Sequence, residues 1–228
     1  MKTALIQALT LIASGDRQVG IILVTTLRMV LASSVLALML GAPLGVLLGS
    51  YVGRGKRLLV VVNRTLMGLP PVVVGLVCYM LFSGVGPFRH MKLLFTVEIM
   101  ILAQVVLITP IVVGTMESYV SAIAPGVRET AKGLALGGGR TLALLMNECS
   151  YQICSAYLLA FSRSIAEVGA VSMVGGAIAW KTNVMTTAIM QYTNRGDFSL
   201  GIALGMILLS LSLLVNIAIS LLQKGVSR

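Results

Sequence analysis

Charged residues inside apolar stretches are the first candidates for chemistry in this chain. Arg163 and Glu167 lie four residues apart, so on a helix they share a face and can form an ion pair. Arg28, Arg64 and Glu98 also lie within or near the ends of apolar stretches. A charge at the centre of a bilayer costs at least about 2.5–3.5 kcal/mol, so such residues face protein or water and usually have a role. For Arg163 and Glu167, an internal ion pair that orders a helix bundle and a place on a transport path both remain open.

Residues suited to catalysis are scarce. His90 is the only histidine, so one chain can build neither a histidine-based triad nor a histidine metal cluster. Cys78, Cys149 and Cys154 lack metal-ligand spacing, and they indicate small core residues rather than a disulfide framework. The glycine run at 137–139 leads to Arg140 rather than to Lys and Ser or Thr, so it is not a phosphate-binding P-loop. We therefore predict a protein that is not an enzyme and carries no cofactor or metal; any ATP that it uses is hydrolysed by another subunit.

Composition indicates that these residues are positioned by membrane-spanning helices. Of 228 residues, 57% are hydrophobic and 11% are charged, whereas charged residues make up about 25% of a soluble domain. The apolar runs exceed the roughly 20 residues that a transmembrane helix needs, and a β-barrel would show alternating segments of about ten. The formal net charge of +10 fits cytoplasmic anchoring of membrane helices better than nucleic-acid binding. The expected fold class is an all-α membrane protein.

The hydropathy pattern predicts about five spans in a single transmembrane domain at residues 19–222. A short amphipathic lead at 1–18 precedes this domain, and a basic tail at 223–228 follows it. Five spans place the termini on opposite sides, and the dense basic turn at Arg54, Lys56 and Arg57 shares a side with the tail. Cations favour the cytoplasmic side, so we expect the N-terminus outside and the C-terminus in the cytoplasm. The expected spans are residues 19–51, 58–83, 95–119, 149–175 and 200–222.

The second span is interrupted by Gly68, Leu69, Pro70 and Pro71. Two prolines remove two backbone donors and push the preceding residues out of helical geometry. Such a break persists in lipid only where other protein or a water-filled path satisfies the freed groups. It either lines a translocation path or is a structural kink, and we favour the path. Arg64, one turn earlier, either draws an anion toward that path or reaches back to the membrane surface.

The longest polar interruption runs from Pro125 to Gln152, and its charged residues include Arg128, Glu129 and Lys132. Residues 127–136 favour a helix, with a proline near its start and glycines after it, the usual order at helix ends. We predict a separate short helix at 128–136 that docks a water-soluble partner. The alternative is an ordinary basic loop that only sets topology.

Three stretches in order carry a resemblance to a known family. The loop at 125–152 resembles the EAA loop of permease subunits of bacterial ABC importers, with Glu129-Thr130-Ala131 where the family has Glu-Ala-Ala. Residues 63–76 and 161–176 resemble the second and fourth spans of tungstate and molybdate permeases, and 186–198 continues the match. The combination is most similar to tungstate-specific permeases. Two positions depart from the pattern, because Ala135 stands where the family usually has Gly and Ala177 where relatives commonly have Asn.

The resemblance implies a MetI-like permease fold with a cytoplasmic coupling helix, working as a homodimer in a bacterial or archaeal inner membrane. It implies cytoplasmic ABC ATPase subunits and an extracytoplasmic oxyanion-binding protein as partners, and import of tungstate by alternating access. Molybdate, sulfate or another oxyanion is the alternative cargo; an ion-driven secondary transporter or a membrane scaffold is the alternative class. The residues expected to couple to the ATPase are Arg128, Glu129, Thr130, Ala131, Lys132, Gly133, Ala135 and Gly137. Those expected on the translocation path are Arg64, Gly68, Pro70, Pro71, Arg163 and Glu167.

Overall fold

The computed structural model describes residues 17–226, with side chains through residue 221. Nearly all of the amphipathic lead expected at residues 1–18 lies outside the described residues, as do the last two residues of the tail. The described residues form helices joined by short turns. The α-helices are α1 Arg17–Ser50, α2 Lys56–Met67, α3 Pro71–Phe82, α4 Val97–Gly133, α5 Gly138–Glu148, α6 Ser150–Ile165, α7 Gly169–Gly175, α8 Met185–Asn194 and α9 Phe198–Val226. A 3-10 turn at Arg89–Met91 precedes α4.

Three of these helices, α1, α4 and α9 as far as Leu221, are long and apolar enough to cross a membrane. Two bent pairs, α2 with α3 and α6 with α7, pass the same test when each pair counts as one span. The total is then five, in agreement with the spans expected from the sequence. Both bends lie at short breaks, at residues 68–70 and 166–168.

The described chain divides into two compact units. The first unit holds the residues up to Ser33 together with Pro70–Gln104 and Ser162–Ile217. The second unit holds Ser34–Leu69, Val105–Phe161 and the residues from Ala218 onward. Both long helices, α1 and α4, contribute residues to both units.

Close packing of α3 against α7 organises the first unit. A Cβ added to Gly75 of α3 would lie 2.9 Å from the Cα of Ala170, so the side chain must be absent for the helices to approach this closely. A second contact set joins α1, α8 and α9 through the buried side chains of Ile22, Met185 and Leu204. The first unit therefore has an apolar core in addition to its glycine contact.

A glycine stripe on α1 organises the second unit. Gly41, Gly45 and Gly49 recur every four residues, and a Cβ added to any of them would come within 2.9 Å of a side chain on α4. Small residues at this spacing let two helices in a membrane pack closely. Helix α1 runs from Arg17 to Ser50 with Pro43 inside it. The α4 side chains that meet the stripe are Val112, Met116 and Val120.

Two local predictions were wrong. The third span continues as α4 through Pro110 and Pro125 to Gly133, so residues 128–133 are the end of a long helix rather than a separate short one. The glycine run opens α5, with Gly137 as its N-cap residue, where a loop was expected. Between the fourth and fifth expected spans the chain forms α8, whose Thr186 and Thr187 are buried with hydrogen-bond partners inside the protein.

Candidate functional site

The segment expected to couple to an ATPase is the C-terminal end of α4. At 1.5 Å per residue, the 37 residues of α4 extend about 55 Å, well beyond the roughly 30 Å of a bilayer core. The polar residues of α4 are concentrated at this end, so this is the part that projects from the membrane. The length of α4 therefore leaves room for both a span and a polar extension.

The end of α4 closes with a Schellman motif. The Leu136 amide donates to the Ala131 carbonyl oxygen at 2.9 Å, and the Ala135 amide donates to the Lys132 carbonyl oxygen at 3.0 Å. In this motif one residue after the helix adopts a left-handed conformation. Here that residue is Ala135, with φ +49°. Glycine is favoured at this place because it lacks a Cβ, which accounts for the family's Gly at the position where this chain has Ala135.

The residues of the coupling segment divide into an outward and an inward set. Glu129, Thr130, Lys132 and Gly133 are exposed, whereas Ala131 is buried. These exposed residues form the outward face on which a partner could dock.

The inward set reaches the end of α1. Arg128 is half-buried, and its guanidinium donates to the carbonyl oxygen of Ser50, the last residue of α1. A cation near the C-terminal end of a helix satisfies free carbonyl groups and interacts favourably with the helix dipole. Arg128 therefore ties the coupling segment to α1 instead of presenting its charge to a partner.

A second cation binds the same end of α1. The Lys56 ammonium donates to the Gly49 carbonyl oxygen at 2.8 Å and to the Ser121 hydroxyl at 3.0 Å. Ser121 in turn donates to the Glu117 carboxylate at 2.8 Å. The network joins α1, α2 and α4 within the second unit.

Glu117 is the functional candidate that the sequence analysis missed. Its side chain is only 6% exposed although it lies in a stretch expected to span the membrane. The signal was present, because it is an acidic residue inside the apolar run at 95–119. It carried no local pairing pattern, since the cation of its network comes from another helix. For Lys56, likewise, the basic turn indicated only topology and gave no sign of the hydrogen bonds that this side chain makes.

A cleft of about 330 Å³ opens beside the coupling segment in the second unit. It lies between the end of α1, the end of α4 and the start of α5. Its polar lining includes Ser50, Arg128, Lys132 and Thr141. The inward face of the coupling segment thus borders open space rather than being packed throughout.

The break between α2 and α3 is present as the sequence predicted. Helix α2 ends at Met67, and Pro71 occupies the first turn of α3 with Pro70 in an extended conformation as its N-cap residue. The Pro70 carbonyl accepts the Val73 amide at 3.0 Å. Because proline lacks an amide hydrogen, it is well suited to this first helical turn.

The break between α6 and α7 is held by Glu167, whose side chain is 4% exposed. The Arg163 guanidinium lies 3.5 Å from its carboxylate, so the ion pair expected from the four-residue spacing is present. The other carboxylate oxygen accepts the Ala170 amide at 3.2 Å, which caps the N-terminal end of α7. The Thr186 hydroxyl donates to the Glu167 carbonyl oxygen at 3.1 Å. One residue thus connects α6, α7 and α8.

The starts of α3 and α7, each directly after a break, lie side by side in the first unit. A Cβ added to Gly169 would lie 3.1 Å from a methyl carbon of Val72, the residue after Pro71. The structure therefore brings Pro70, Pro71 and the Glu167 region together. Of the other residues expected on the path, Gly68 ends α2 in the second unit, and Arg64 lines a cleft there with Arg54 and Arg57.

Within residues 17–226, no group of three or more histidine, cysteine or acidic side chains is placed to hold a metal ion. The cysteines are free thiols; Cys78 and Cys149 are buried and Cys154 is half-buried. Buried thiols of this kind pack as small apolar side chains. The chemistry available at the site is therefore that of hydrogen bonds, charges and helix ends.

Comparison with known proteins agrees with this architecture. Residues 41–228 match the family described as "binding-protein-dependent transport system inner membrane component". Tungstate uptake system permeases of Peptoclostridium acidaminophilum and Campylobacter jejuni are 35% and 34% identical to the chain, covering 95% and 92% of it and 95% and 88% of their own lengths. A probable anion ABC transporter permease of Haloferax volcanii is 41% identical over 81% of this chain and 82% of its own.

These matches cover the spans, the two helix breaks and the projecting end of α4. The family description itself places its members in the inner membrane and pairs them with a binding protein. The chain belongs to the family of inner membrane components of binding-protein-dependent transport systems, and it is a multi-pass ABC permease.

Proposed function

We propose that this chain is the permease subunit of an ABC importer that carries tungstate into the cell. The cargo rests on the two tungstate uptake permeases that match along nearly the whole chain. The proposed docking of an ATPase rests on one observation, the end of α4, whose outward face exposes Glu129, Thr130 and Lys132. An exposed polar helix end of this kind is suited to docking on a soluble ATPase.

The assembly is a homodimer with one cytoplasmic ATPase docked on each copy and an extracytoplasmic oxyanion-binding protein at the outer face. ATP hydrolysis takes place in the ATPase subunits. Two copies supply the two walls of a path, because five spans are too few to surround a hydrated oxyanion. The lipid bilayer surrounds the dimer.

Movement of the ATPase passes to the spans through the inward set of the coupling segment. Arg128 holds the last carbonyl of α1, and Lys56 holds the carbonyl of Gly49 one residue earlier. A displacement of the end of α4 therefore pulls on the end of α1. Glu129, Thr130, Lys132 and Gly133 form the contact face, while Ala135 and Gly137 shape the turn that follows it.

The translocation path follows the helix breaks. Gly68, Pro70 and Pro71 interrupt one span, and the break next to Glu167 interrupts another, so backbone groups that a straight helix would use internally are available there. Arg163 and Glu167 hold the second break in place. The sequence left two roles open for Arg64, drawing an anion toward the path or reaching back to the membrane surface. We propose the second.

Charge reversal in the contact face tests the coupling assignment. In proteoliposomes that contain the permease, its ATPase and its binding protein, we expect Glu129→Lys to lower ATP-dependent tungstate uptake about 30-fold, the effect of losing an interface contact worth about 2 kcal/mol. Glu148→Lys is the matched control, since Glu148 is also exposed and the change in charge is the same. Uptake by Glu129→Lys at the rate of the control would contradict the assignment.

Competition distinguishes the alternative cargoes. The permease of Haloferax volcanii is described only as an anion transporter, which favours a second candidate cargo, another oxyanion such as molybdate or sulfate. A tungstate importer retains its uptake in excess molybdate or sulfate, whereas a general oxyanion importer loses it. Uptake that continued with an inactive ATPase would instead indicate an ion-driven transporter.

The orientation follows from the charge distribution. We place the N-terminus outside and the C-terminus in the cytoplasm, with the basic turn before α2 and the projecting end of α4 on the cytoplasmic side. A fluorescent protein that matures only in the cytoplasm should be bright when fused after Arg228. A dark fusion that becomes bright when moved to the N-terminus would reverse the orientation.

A further inference from the structure

A cleft of about 530 Å³ with strongly basic walls lies on α2 and the turn before it, within the second unit. Four cationic side chains line it, those of Arg54, Lys56, Arg57 and Arg64. Arg57 and Arg64 lie seven residues apart, two turns of helix, so both face the same side of α2. The remaining walls are Gly53 and the side chains of Val60 and Val61.

Although Arg64 also lines a neighbouring cavity with Glu117, none of the three arginines of this cleft forms an ion pair within the described part of the chain. Neither ion pair found there, Arg28 with Glu98 or Arg163 with Glu167, involves them. None of the cleft's lining residues is acidic. Lys56 differs, because its ammonium already donates to Gly49 and Ser121. The cleft therefore presents three exposed guanidinium groups that are accessible to an anionic ligand from outside the chain.

The same surface of α2 carries exposed apolar side chains. None of its residues is buried, and Leu58 and Val61 are 67% and 53% exposed. In a membrane these side chains contact lipid, and they lie within two turns of the basic turn that marks the membrane surface. A ligand of this cleft thus meets guanidinium groups at one end and apolar side chains at the other.

We propose that the cleft binds the headgroup of an anionic phospholipid, with the phosphate on Arg54, Arg57 and Arg64 and the acyl chains along the exposed apolar face of α2. Guanidinium groups are matched to phosphate because they donate paired hydrogen bonds. Basic clusters directly beside a membrane span attract anionic lipids, by about 1 kcal/mol for each cation. A free oxyanion fits less well, because it leaves the apolar face uncovered and the arginines are too exposed to hold a small dianion.

Lipid binding to the purified permease tests this proposal without any transport measurement. Native mass spectrometry would compare phosphatidylglycerol with phosphatidylcholine on the wild-type chain and on the triple variant Arg54→Gln, Arg57→Gln, Arg64→Gln. We expect the wild type to prefer phosphatidylglycerol by at least about 10-fold, and the triple variant to lose that preference. Each single substitution should lower the affinity for phosphatidylglycerol about five-fold.

The matched control is a second triple variant with the same loss of charge, Arg89→Gln, Lys92→Gln, Arg195→Gln, all exposed and outside this cleft. It should bind phosphatidylglycerol as the wild type does. Equal losses in the two triple variants would overturn the proposal, since net charge alone would then explain lipid binding. If the first triple variant does not fold, as judged by circular dichroism and melting temperature, Arg57→Gln alone decides the outcome.

A further arm separates a lipid from a free anion. Tungstate or inorganic phosphate is added at about 1 mM before the bound lipid is measured. This concentration is roughly a hundred times the dissociation constant of a tight anion site. We expect the bound phosphatidylglycerol to be unchanged. Displacement of the lipid by tungstate in the wild type and equally in the control variant, which retains the cleft, would assign the cleft to the cargo and overturn the lipid proposal.

Discussion

The two compact units of this permease each bury one glutamate, and they stabilise it in different ways. Glu167 in the first unit pairs with Arg163, four residues earlier, and caps the helix that begins two residues later. Glu117 in the second unit accepts a hydrogen bond from Ser121 on its own helix, and Ser121 is bound by Lys56 from another helix. One carboxylate is therefore compensated locally and the other through tertiary contacts.

This difference matches the work that each unit is proposed to do. A local pair keeps the break between α6 and α7 in one shape, as a fixed wall of a path requires. A network that joins the ends of α1, α2 and α4 couples elements that are distant along the chain, as a unit that receives movement from an ATPase requires. A buried charge in membrane helices is costly, so both arrangements are needed where they occur.

Removal of the local pair should have the largest effect on stability. Glu167→Ala leaves Arg163, whose side chain is 38% exposed, without its partner and the start of α7 without its cap, and we expect the free energy of unfolding to fall by about 2–4 kcal/mol. Reversible unfolding in mixed micelles measures this. Glu98→Ala is the control, because Arg28 and Glu98 form an ion pair whose side chains are 65% and 55% exposed and should contribute less than about 1 kcal/mol. Equal losses of unfolding free energy in Glu167→Ala and Glu98→Ala would mean that burial of Glu167 does not increase its contribution to stability.

Removal of the tertiary network should have an intermediate effect on stability. Lys56→Met removes the donor of the Ser121 hydroxyl and leaves the Gly49 carbonyl only a long bond of 3.4 Å from Ser121, and we expect a loss of about 1–3 kcal/mol. Arg57→Met, on the same turn but without hydrogen bonds in the described structure, should lose almost nothing in lipid-free detergent. Our assignment of roles also requires Lys56→Met to uncouple ATP hydrolysis from uptake, whereas Glu167→Ala variants that fold should retain the coupling ratio.

Relief of backbone strain should have the smallest effect on stability, and we expect an effect of the same size in the two units. Ala135 and Ala177 have φ +49° and +46°, in the left-handed region that glycine adopts more easily. Each Ala→Gly change should raise the free energy of unfolding by about 0.5–1 kcal/mol, since the conformational term is local. Ala143→Gly, exposed within α5, should lower it by a similar amount. A melting curve of each variant checks the sign, and a gain at one position alone would show that tertiary contacts, not φ, decide it.

Both alanines stand where the sequence departs from the family pattern, Ala135 in place of Gly and Ala177 in place of Asn. Glycine and asparagine are the two residues that tolerate a left-handed conformation best. The left-handed conformation at both positions is therefore consistent with the residues that the resemblance led us to expect there.

Much of the architecture could be predicted because it depends on local sequence. Apolar runs longer than a bilayer needs determined the five spans, and two consecutive prolines determined the break before Pro71. The four-residue spacing determined the pair of Arg163 and Glu167. Each of these follows from the helical repeat or from a missing backbone donor, so no knowledge of distant residues was needed.

The tertiary structure alone decided how the spans are joined. In the folded protein, α4 continues through Pro125 to Gly133, and the start of α8 is buried although its sequence is polar. The side chains of Arg128 and Lys56 donate hydrogen bonds to carbonyl oxygens at the end of α1. A helix can continue through a proline, and a threonine can be buried, only where the rest of the fold supplies hydrogen-bond partners to the polar groups concerned. Those partners lie up to 159 residues away along the chain, as for the Met185 amide and the Thr26 hydroxyl, where no local pattern records them.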